Sequence, residues 1–230
     1  MDPELVIFDL DGTLIDSSDD IAQAANKMLL ELGLEPMSTA HIKERIGWGV
    51  RFLLERLLPE PTPGSAGKDG ENIDKDFEGL LSRARDIFLG HYRENLTAKT
   101  RPYPGAFETL DYLSGLDKKI AIITNKPIDF TMIILDDLGL AKYFQVVLGG
   151  DSLKNRKPHP EPLFNVMAAL EVGPGDSVMV GDSSIDCEAA RGAGVSVIGA
   201  AYGFRGREGL DGQGCVRIID SVSELQTLIS

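Results

Sequence analysis

Asp9 and Asp11 stand two residues apart directly after the apolar run Leu5-Val6-Ile7-Phe8, and Gly12-Thr13 follow them. Alternate side chains of a strand share a face. The two carboxylates should therefore project together from the strand's carboxyl end, where ligands bind in open α/β sheets. Carboxylates this close repel and call for a cation or a shared proton. One can attack an electrophile while its neighbour handles a proton, and a divalent metal can hold both in register. Asp-Gly is also a common plain turn, so the five residues need support from elsewhere in the chain. An EF-hand loop fits poorly, since that spacing requires a third oxygen ligand at Thr13 and a Glu further on.

Three other segments offer suitable partners. Thr124, Asn125 and Lys126 follow the apolar run Ile122-Ile123, and a hydroxyl with an amide suits phosphoryl oxygens, although Thr-Asn opens many turns. Arg156-Lys157-Pro158-His159-Pro160 is stiffened by its prolines and can present Lys157 rigidly to offset charge on a phosphoryl group and its acceptor. His159 reads as a surface residue. Met179-Val180-Gly181-Asp182 repeats the first pattern, with Asp186 four residues on. Asp182 suits magnesium as a hard oxygen ligand, and Asp186 is placed to hold Lys157 or a metal-bound water. Gly-Asp-Ser-Ser is equally a good helix start. The metal reading prevails only because Asp9 and Asp11 end another strand.

The elements that must position these residues follow from periodicity. Ile21, Ala24, Ala25, Met28, Leu29 and Leu32 recur at helical spacing, with Ser17 and Asp20 matching a capping box and Gly33 placed to stop the helix. A second helix is expected over His41 to Arg45 and a third through Phe52, Leu53 and Leu57, with Gly47-Trp48-Gly49 between them. Residues 59–70 read as a loop, and Phe77, Leu80, Leu81, Ala84, Ile87, Phe88 and Tyr92 mark one face of a long helix. Strands are expected over Lys119–Thr124, Gln145–Leu148, Ser177–Gly181, Val195–Ile198 and Val216–Ile219. Helices fall between them, with faces such as Phe107/Leu110/Leu113 and Leu163/Phe164/Met167, and Ser221 with Glu224 matches another capping box. Apolar strands alternating with helices predict an α/β fold whose parallel sheet is covered on both faces. Residues 1–16 and 98–230 would form that Rossmann-like core, and 17–97 a helical cap inserted above Asp9, hinged near 13–17 and 98–104.

Bulk composition narrows the classes. The chain has 230 residues, 43% of them hydrophobic, and no apolar run of membrane-spanning length. Its 23 Lys and Arg against 36 Asp and Glu give a net charge of −13, which argues against a nucleic-acid binder but allows a small anionic substrate in a locally cationic pocket. Cys187 and Cys215 are the only cysteines, and they read as reduced thiols of a cytoplasmic protein. The first residues enter a strand without the basic region and apolar stretch of a signal peptide, and none is expected.

In this order the four elements resemble the haloacid dehalogenase superfamily over nearly the whole chain. Asp9–Thr13 is similar to its first motif, Thr124 to its second, Lys157 to its third and Gly181-Asp182 through Asp186 to its fourth. The resemblance implies Asp9 as a nucleophile forming an aspartyl-phosphate. It implies Asp11 as the group that protonates the leaving group and then activates water. Thr124 and Lys157 would bind the phosphoryl group, and Gly12, Thr13, Asn125 and Lys126 would stand with the substrate-binding residues. Mg2+ would be held by the Asp9 carboxylate, the Asp11 backbone carbonyl and Asp182, with Asp186 supporting. Asp11 argues against the dehalogenases themselves. Gly47-Trp48-Gly49, Thr100–Gly105, Lys157–Leu163 and Ala201-Tyr202-Gly203-Phe204 resemble the phosphoglycolate phosphatase group. Arg45, Gly47, Trp48 and Gly49 in the cap are candidate substrate contacts, because an Arg fork matches a carboxylate.

The expected activity is hydrolysis of a small phosphorylated metabolite by a monomer or homodimer, with 2-phosphoglycolate the leading substrate and neither nucleic acid nor membrane as partner. A pyrophosphatase, a sugar-phosphate phosphatase and a β-phosphoglucomutase-like mutase are the enzymatic alternatives. Outside that class stand a phosphoacceptor signalling module, for which the chain is too long, and a catalytically silent binding protein, which would not need the full acid and metal set.

Overall fold

A computed structural model describes residues 1–59 and 71–230, so the expected loop falls almost wholly outside the described residues. Six strands form one parallel sheet: β1 (Leu5–Phe8), β4 (Lys119–Ile123), β5 (Val146–Leu148), β6 (Ser177–Gly181), β7 (Ser196–Ala200) and β8 (Arg217–Ile219), in the order β5-β4-β1-β6-β7-β8. Alternation along β1 explains its central place. Val6 and Phe8 join the apolar cluster on one face, Leu5 and Ile7 the cluster on the other, and all four are fully buried. Only a strand covered on both sides can be apolar at every position.

Among the described residues four helices lie in the chain between residues 17 and 97: α1 (Ser18–Glu31), α2 (Thr39–Lys43), α3 (Val50–Leu57) and α4 (Glu71–Glu94). On α4 the expected face is realised by Leu81, Ala84, Phe88 and Tyr92, all buried. They share one apolar cluster with Met28 of α1, Leu54 of α3 and Phe8 of the central strand. The insertion and the sheet therefore have a continuous core. The two chain passages joining them form a short antiparallel ribbon, β2 (Ile15–Asp16) against β3 (Arg101–Pro102).

The expected capping box at α1 is not made. Ser17 sits at the N-cap without a side-chain cap bond, because its hydroxyl donates to Asp11 instead, and Ser18 N–H is satisfied by Asp16 Oδ1 at 3.0 Å. Asp20 is buried and turned to the other passage. Its carboxylate accepts from Lys99 N–H at 2.9 Å, Thr100 N–H at 2.7 Å and Thr100 Oγ1 at 2.8 Å. The second helix starts two residues earlier than its periodicity suggested, capped by Ser38. The remaining helices, α5 (Ala106–Gly115), α6 (Ile128–Asp137), α7 (Glu161–Ala169), α8 (Ser184–Ala193) and α9 (Leu225–Leu228), accompany the sheet. Phe107 of α5 and Phe164 of α7 are exposed, so their expected inward faces rest on Leu110 with Leu113 and on Leu163 with Met167. Ser221 and Glu224 do form their capping box. Cys187 and Cys215 are free thiols 3.5 Å apart. No described helix is long and apolar enough to cross a membrane.

Removing a buried carboxylate with several donors leaves those donors unsatisfied in a place water does not reach. Asp20→Ala is expected to cost about 3 kcal/mol of folding stability, measurable as a lower urea midpoint at unchanged slope.

Candidate active site

Parallel pairing sets three strand ends side by side. Phe8 is level with Ile122 of β4 on one flank and with Val180 of β6 on the other. The next residues beyond the strands are therefore neighbours: Asp9 after β1, Thr124 after β4, Asp182 after β6. Asp9, Asp182 and Asp186 offer carboxylate oxygens within 4.8 Å of one another, and all three side chains are buried. Lys157 Nζ lies 2.8 Å from Asp9 Oδ1 and 2.6 Å from Asp186 Oδ1. The other Asp186 oxygen accepts from Ser183 N–H at 3.2 Å, part of a capping box at the start of α8, and from Ser183 Oγ at 2.7 Å. One acidic side chain thus both caps a helix and holds the ammonium in place.

Charge and burial conflict at this edge. Burial pushes the Asp9 carboxyl up to about 7; Lys157 pulls it down, while Asp186 and Asp11 push it up again. Burial likewise raises Asp182 well above the usual carboxylate range, and the charges on Asp186 and Asp9 add to it. Burial opposes the Lys157 charge, but Asp186 and Asp9 outweigh it and its pKa rises. A buried acid cluster with a single ammonium among it fits a hard divalent cation, which oxygen ligands of this kind bind. Asp9 and Asp182 have the freer oxygens, since Asp186 is engaged by Lys157 and Ser183. The packing leaves no slack around Asp182: its Oδ2 accepts from Phe204 N–H at 2.7 Å, and a Cβ on Gly12, at φ +88°, would collide with its carboxylate.

Asp11 faces a different set. Its Oδ1 accepts from Ser17 Oγ at 2.5 Å and from Lys126 Nζ at 2.8 Å, and Lys126 Nζ also donates to Tyr92 Oη at 2.5 Å. Its carboxylate lies outside the three-carboxylate cluster. Thr124 Oγ1 accepts from Lys126 N–H at 3.2 Å, and its own hydrogen has no acceptor among the described residues. Asn125 uses Nδ2 to reach Gly47 O at 3.0 Å and Lys157 O at 2.9 Å, so it ties the insertion to the site. Thr13 is buried, with Oγ1 unpartnered among the described residues.

Asp9, Asp11, Thr124, Asn125 and Lys126 line one side of a cavity of about 50 Å³, together with Gly47 and Gly49 from the insertion. The opposite wall is largely apolar, with Ile21, Val50, Leu53 and Phe88, and Tyr92 completes it. Arg45 and Trp48 are not part of this lining. Arg45 Nη1 donates to His41 O at 2.5 Å within its own segment, and Trp48 stacks on Phe52 at 5.2 Å facing an outer groove. Three participants escaped the sequence reading: Ser17, taken for a cap; Tyr92, taken only for core; and Arg205, which donates to Glu44 O and Ile46 O and anchors the segment leading to Gly47.

The folded state without metal holds Asp9 and Asp182 at raised pKa values, whereas the unfolded chain titrates near ordinary carboxylates. Folding then takes up protons, and the metal-free protein is expected to lose stability as pH rises from about 4 to about 7, with little further loss from Asp9 above that. Added Mg2+ should raise the melting temperature at pH 7.5 far more than at pH 5, because protons and metal compete for the same oxygens. Thermal melts across pH with and without Mg2+ check both signs.

Known proteins resemble this chain over nearly its whole length. Residues 6–200 match a family model described as haloacid dehalogenase-like hydrolase. A phosphoglycolate phosphatase of Nitrosococcus oceani is 32% identical over 228 residues, covering 99% of this chain and 97% of that protein. One from Colwellia psychrerythraea is 38% identical over 223 residues, covering 96% and 95%. Among solved structures, a protein described as a predicted phosphoglycolate phosphatase from Haemophilus somnus superposes with a TM-score of 0.86 at 30% identity, covering 98% of this chain and 97% of its own.

Proposed function

The chain belongs to the haloacid dehalogenase-like hydrolases and is a phosphatase of that family, and from this premise we propose that it hydrolyses 2-phosphoglycolate to glycolate and phosphate through a phosphorylated Asp9. The observation that carries the reading is the meeting of Asp9, Asp182, Asp186 and Lys157 at adjoining strand ends, with Asp11 beside them. Residues 17–97 are taken as the cap, and 1–16 with 98–230 as the catalytic core.

An Asp9 oxygen attacks phosphorus and the ester P–O bond breaks. The leaving alkoxide takes a proton from Asp11, which becomes a carboxylate. Asp11 then accepts a proton from a water whose oxygen attacks the same phosphorus. The Asp9–phosphate bond breaks, phosphate leaves and both acids return to their starting state. Phosphoryl transfer depends on positioning and charge neutralisation more than on covalent assistance. Lys157 supplies fixed positive charge beside Asp9, and the free hydrogen of Thr124 Oγ1 suits a phosphoryl oxygen. Mg2+, bound by the Asp9 carboxylate, the Asp11 carbonyl and Asp182 with Asp186 in support, would neutralise phosphoryl charge. Asp186 orients Lys157, and the apolar wall contributed by α1, α3 and α4 excludes water.

Two observations support a small substrate. The cavity of about 50 Å³ has room for a leaving group of a few atoms. The relatives named above carry the phosphoglycolate phosphatase name at 32% and 38% identity.

Asp9→Asn is expected to abolish both turnover and covalent labelling by a radiolabelled phosphate ester. Asp11→Asn should stop turnover while the protein still binds phosphate. A phosphate-release screen in Mg2+ should rank 2-phosphoglycolate above pyrophosphate and hexose phosphates. A large preference for pyrophosphate would overturn the substrate and leave the mechanism standing, whereas labelling of Asp9→Asn would overturn the nucleophile.

A further inference from the structure

Among the described residues the cavity has one cation in its lining, Lys126, and that ammonium is incompletely used. A lysine ammonium carries three N–H donors. One goes to Asp11 Oδ1 at 2.8 Å and one to Tyr92 Oη at 2.5 Å, and the third has no partner among the described residues. Tyr92 is in the matching position. Its oxygen accepts from Lys126, and its own O–H has no acceptor among the described residues. Two buried donors with unassigned hydrogens therefore meet at one point of the cavity wall. Buried donors of this kind are rarely left unfilled.

The rest of the wall shows what they are for. Ile21, Val50, Leu53 and Phe88 cannot solvate a charge, Asn125 Nδ2 is spent on Gly47 O and Lys157 O, and the proposed reading gives Thr124 to the phosphoryl group, so among the lining side chains Lys126 and Tyr92 are the donors left for an acidic end of a bound substrate. The arginines that residue type alone nominates are engaged elsewhere. Arg45 lies outside this lining and donates from Nη1 to His41 O, with its buried Nε unpartnered among the described residues, and Arg51 pairs with Glu55 and Glu78. The Tyr92 ring is also fixed, stacked on Phe88 at 5.6 Å and edge-on to Phe130 at 5.5 Å. Burial raises its phenol to about 12, with Asp11 and Asp20 adding to the rise and Lys126 opposing it, so the hydroxyl remains a donor at neutral pH.

We propose that Lys126 Nζ and Tyr92 Oη form a two-donor recognition site for the carboxylate of a small phosphorylated acid. This rests on the phosphatase reading above and names the residues that make it selective. The donors come from different parts of the chain, Lys126 from the turn after β4 and Tyr92 from α4 of the insertion. The site is complete only while α4 lies over the sheet edge, so an acid-bearing substrate favours the docked insertion. Lys126 also holds Asp11, which places the substrate's acid end next to the proposed acid–base group.

The test compares wild type with Tyr92→Phe on 2-phosphoglycolate and on ethyl phosphate, which matches it without the acid end. The variant keeps the ring contacts, and its ethyl phosphate turnover reports on folding and on the chemical step. Wild type is expected to favour 2-phosphoglycolate by about 100-fold or more in kcat/KM. Tyr92→Phe should lower the ratio of the two kcat/KM values, 2-phosphoglycolate over ethyl phosphate, about 10- to 100-fold, chiefly through KM for 2-phosphoglycolate. Equal losses on both substrates, or a loss in kcat with the preference intact, would overturn the assignment while leaving 2-phosphoglycolate as substrate. Wild-type turnover of both esters with no preference would overturn both the assignment and the substrate choice.

Discussion

The constraint on which the rest depends is that Lys157 must sit among buried carboxylates. Asp9 and Asp186 approach its ammonium to 2.8 and 2.6 Å, and Asp182 stands close by without a cation of its own at that range. Concentrating acid where water is scarce costs free energy, which appears as raised proton affinity at Asp9 and Asp182. The fold must impose this arrangement. Parallel pairing of β1 with β4 and β6 does so, since strands of matched register deliver the next residue of each chain to the same edge. The ammonium then makes the cluster tolerable without cancelling it, and the residual acid is what a divalent cation needs.

The same economy of charge governs how the helical insertion meets the sheet. Asp20 binds the returning passage at Lys99 and Thr100, Asn125 binds Gly47, and Arg205 binds the carbonyls ahead of it. Apart from the Thr100 hydroxyl, these contacts end on backbone groups, which a side-chain substitution on the partner residue does not remove. Beneath them the apolar cluster runs unbroken from Phe8 through Phe88 to Leu54. Polar ties set the position and shared burial supplies the adhesion.

Local pattern made the fold legible. β1 and β6 read as continuous apolar runs, α4 as a 3.6-residue stripe, and the Asp182-to-Asp186 spacing as one turn of helix. What the sequence hid were competitions for the same atom. Ser17 has the residue type and place of an N-cap, yet Asp11, six residues back, takes its hydrogen because the intervening turn folds over. Arg45 has the right fork for a carboxylate, yet its Nη1 donates to a carbonyl four residues earlier in its own segment and the residue lies outside the cavity lining. Tyr92 fits the core stripe so well that nothing in the periodicity marks its hydroxyl, and its partner Lys126 lies 34 residues away. Residue type and spacing describe what a side chain can do, and only the tertiary fold decides which neighbour it does it with.

That distinction bears on how selectivity arises in a pocket of this kind. A cavity walled by Ile21, Val50, Leu53 and Phe88 discriminates by size, and apolar contact alone separates substrates by modest factors. Stronger discrimination requires polar groups that are costly to bury unless the correct ligand satisfies them. In this molecule such groups lie where the insertion and the core meet, at Lys126 and Tyr92, and one of them also grips Asp11. On the proposed reading, recognition and proton transfer share this cluster. On that reading α4, which walls the cavity through Phe88 and Tyr92, also reads the substrate, and a ligand lacking the acid end leaves both donors unsatisfied.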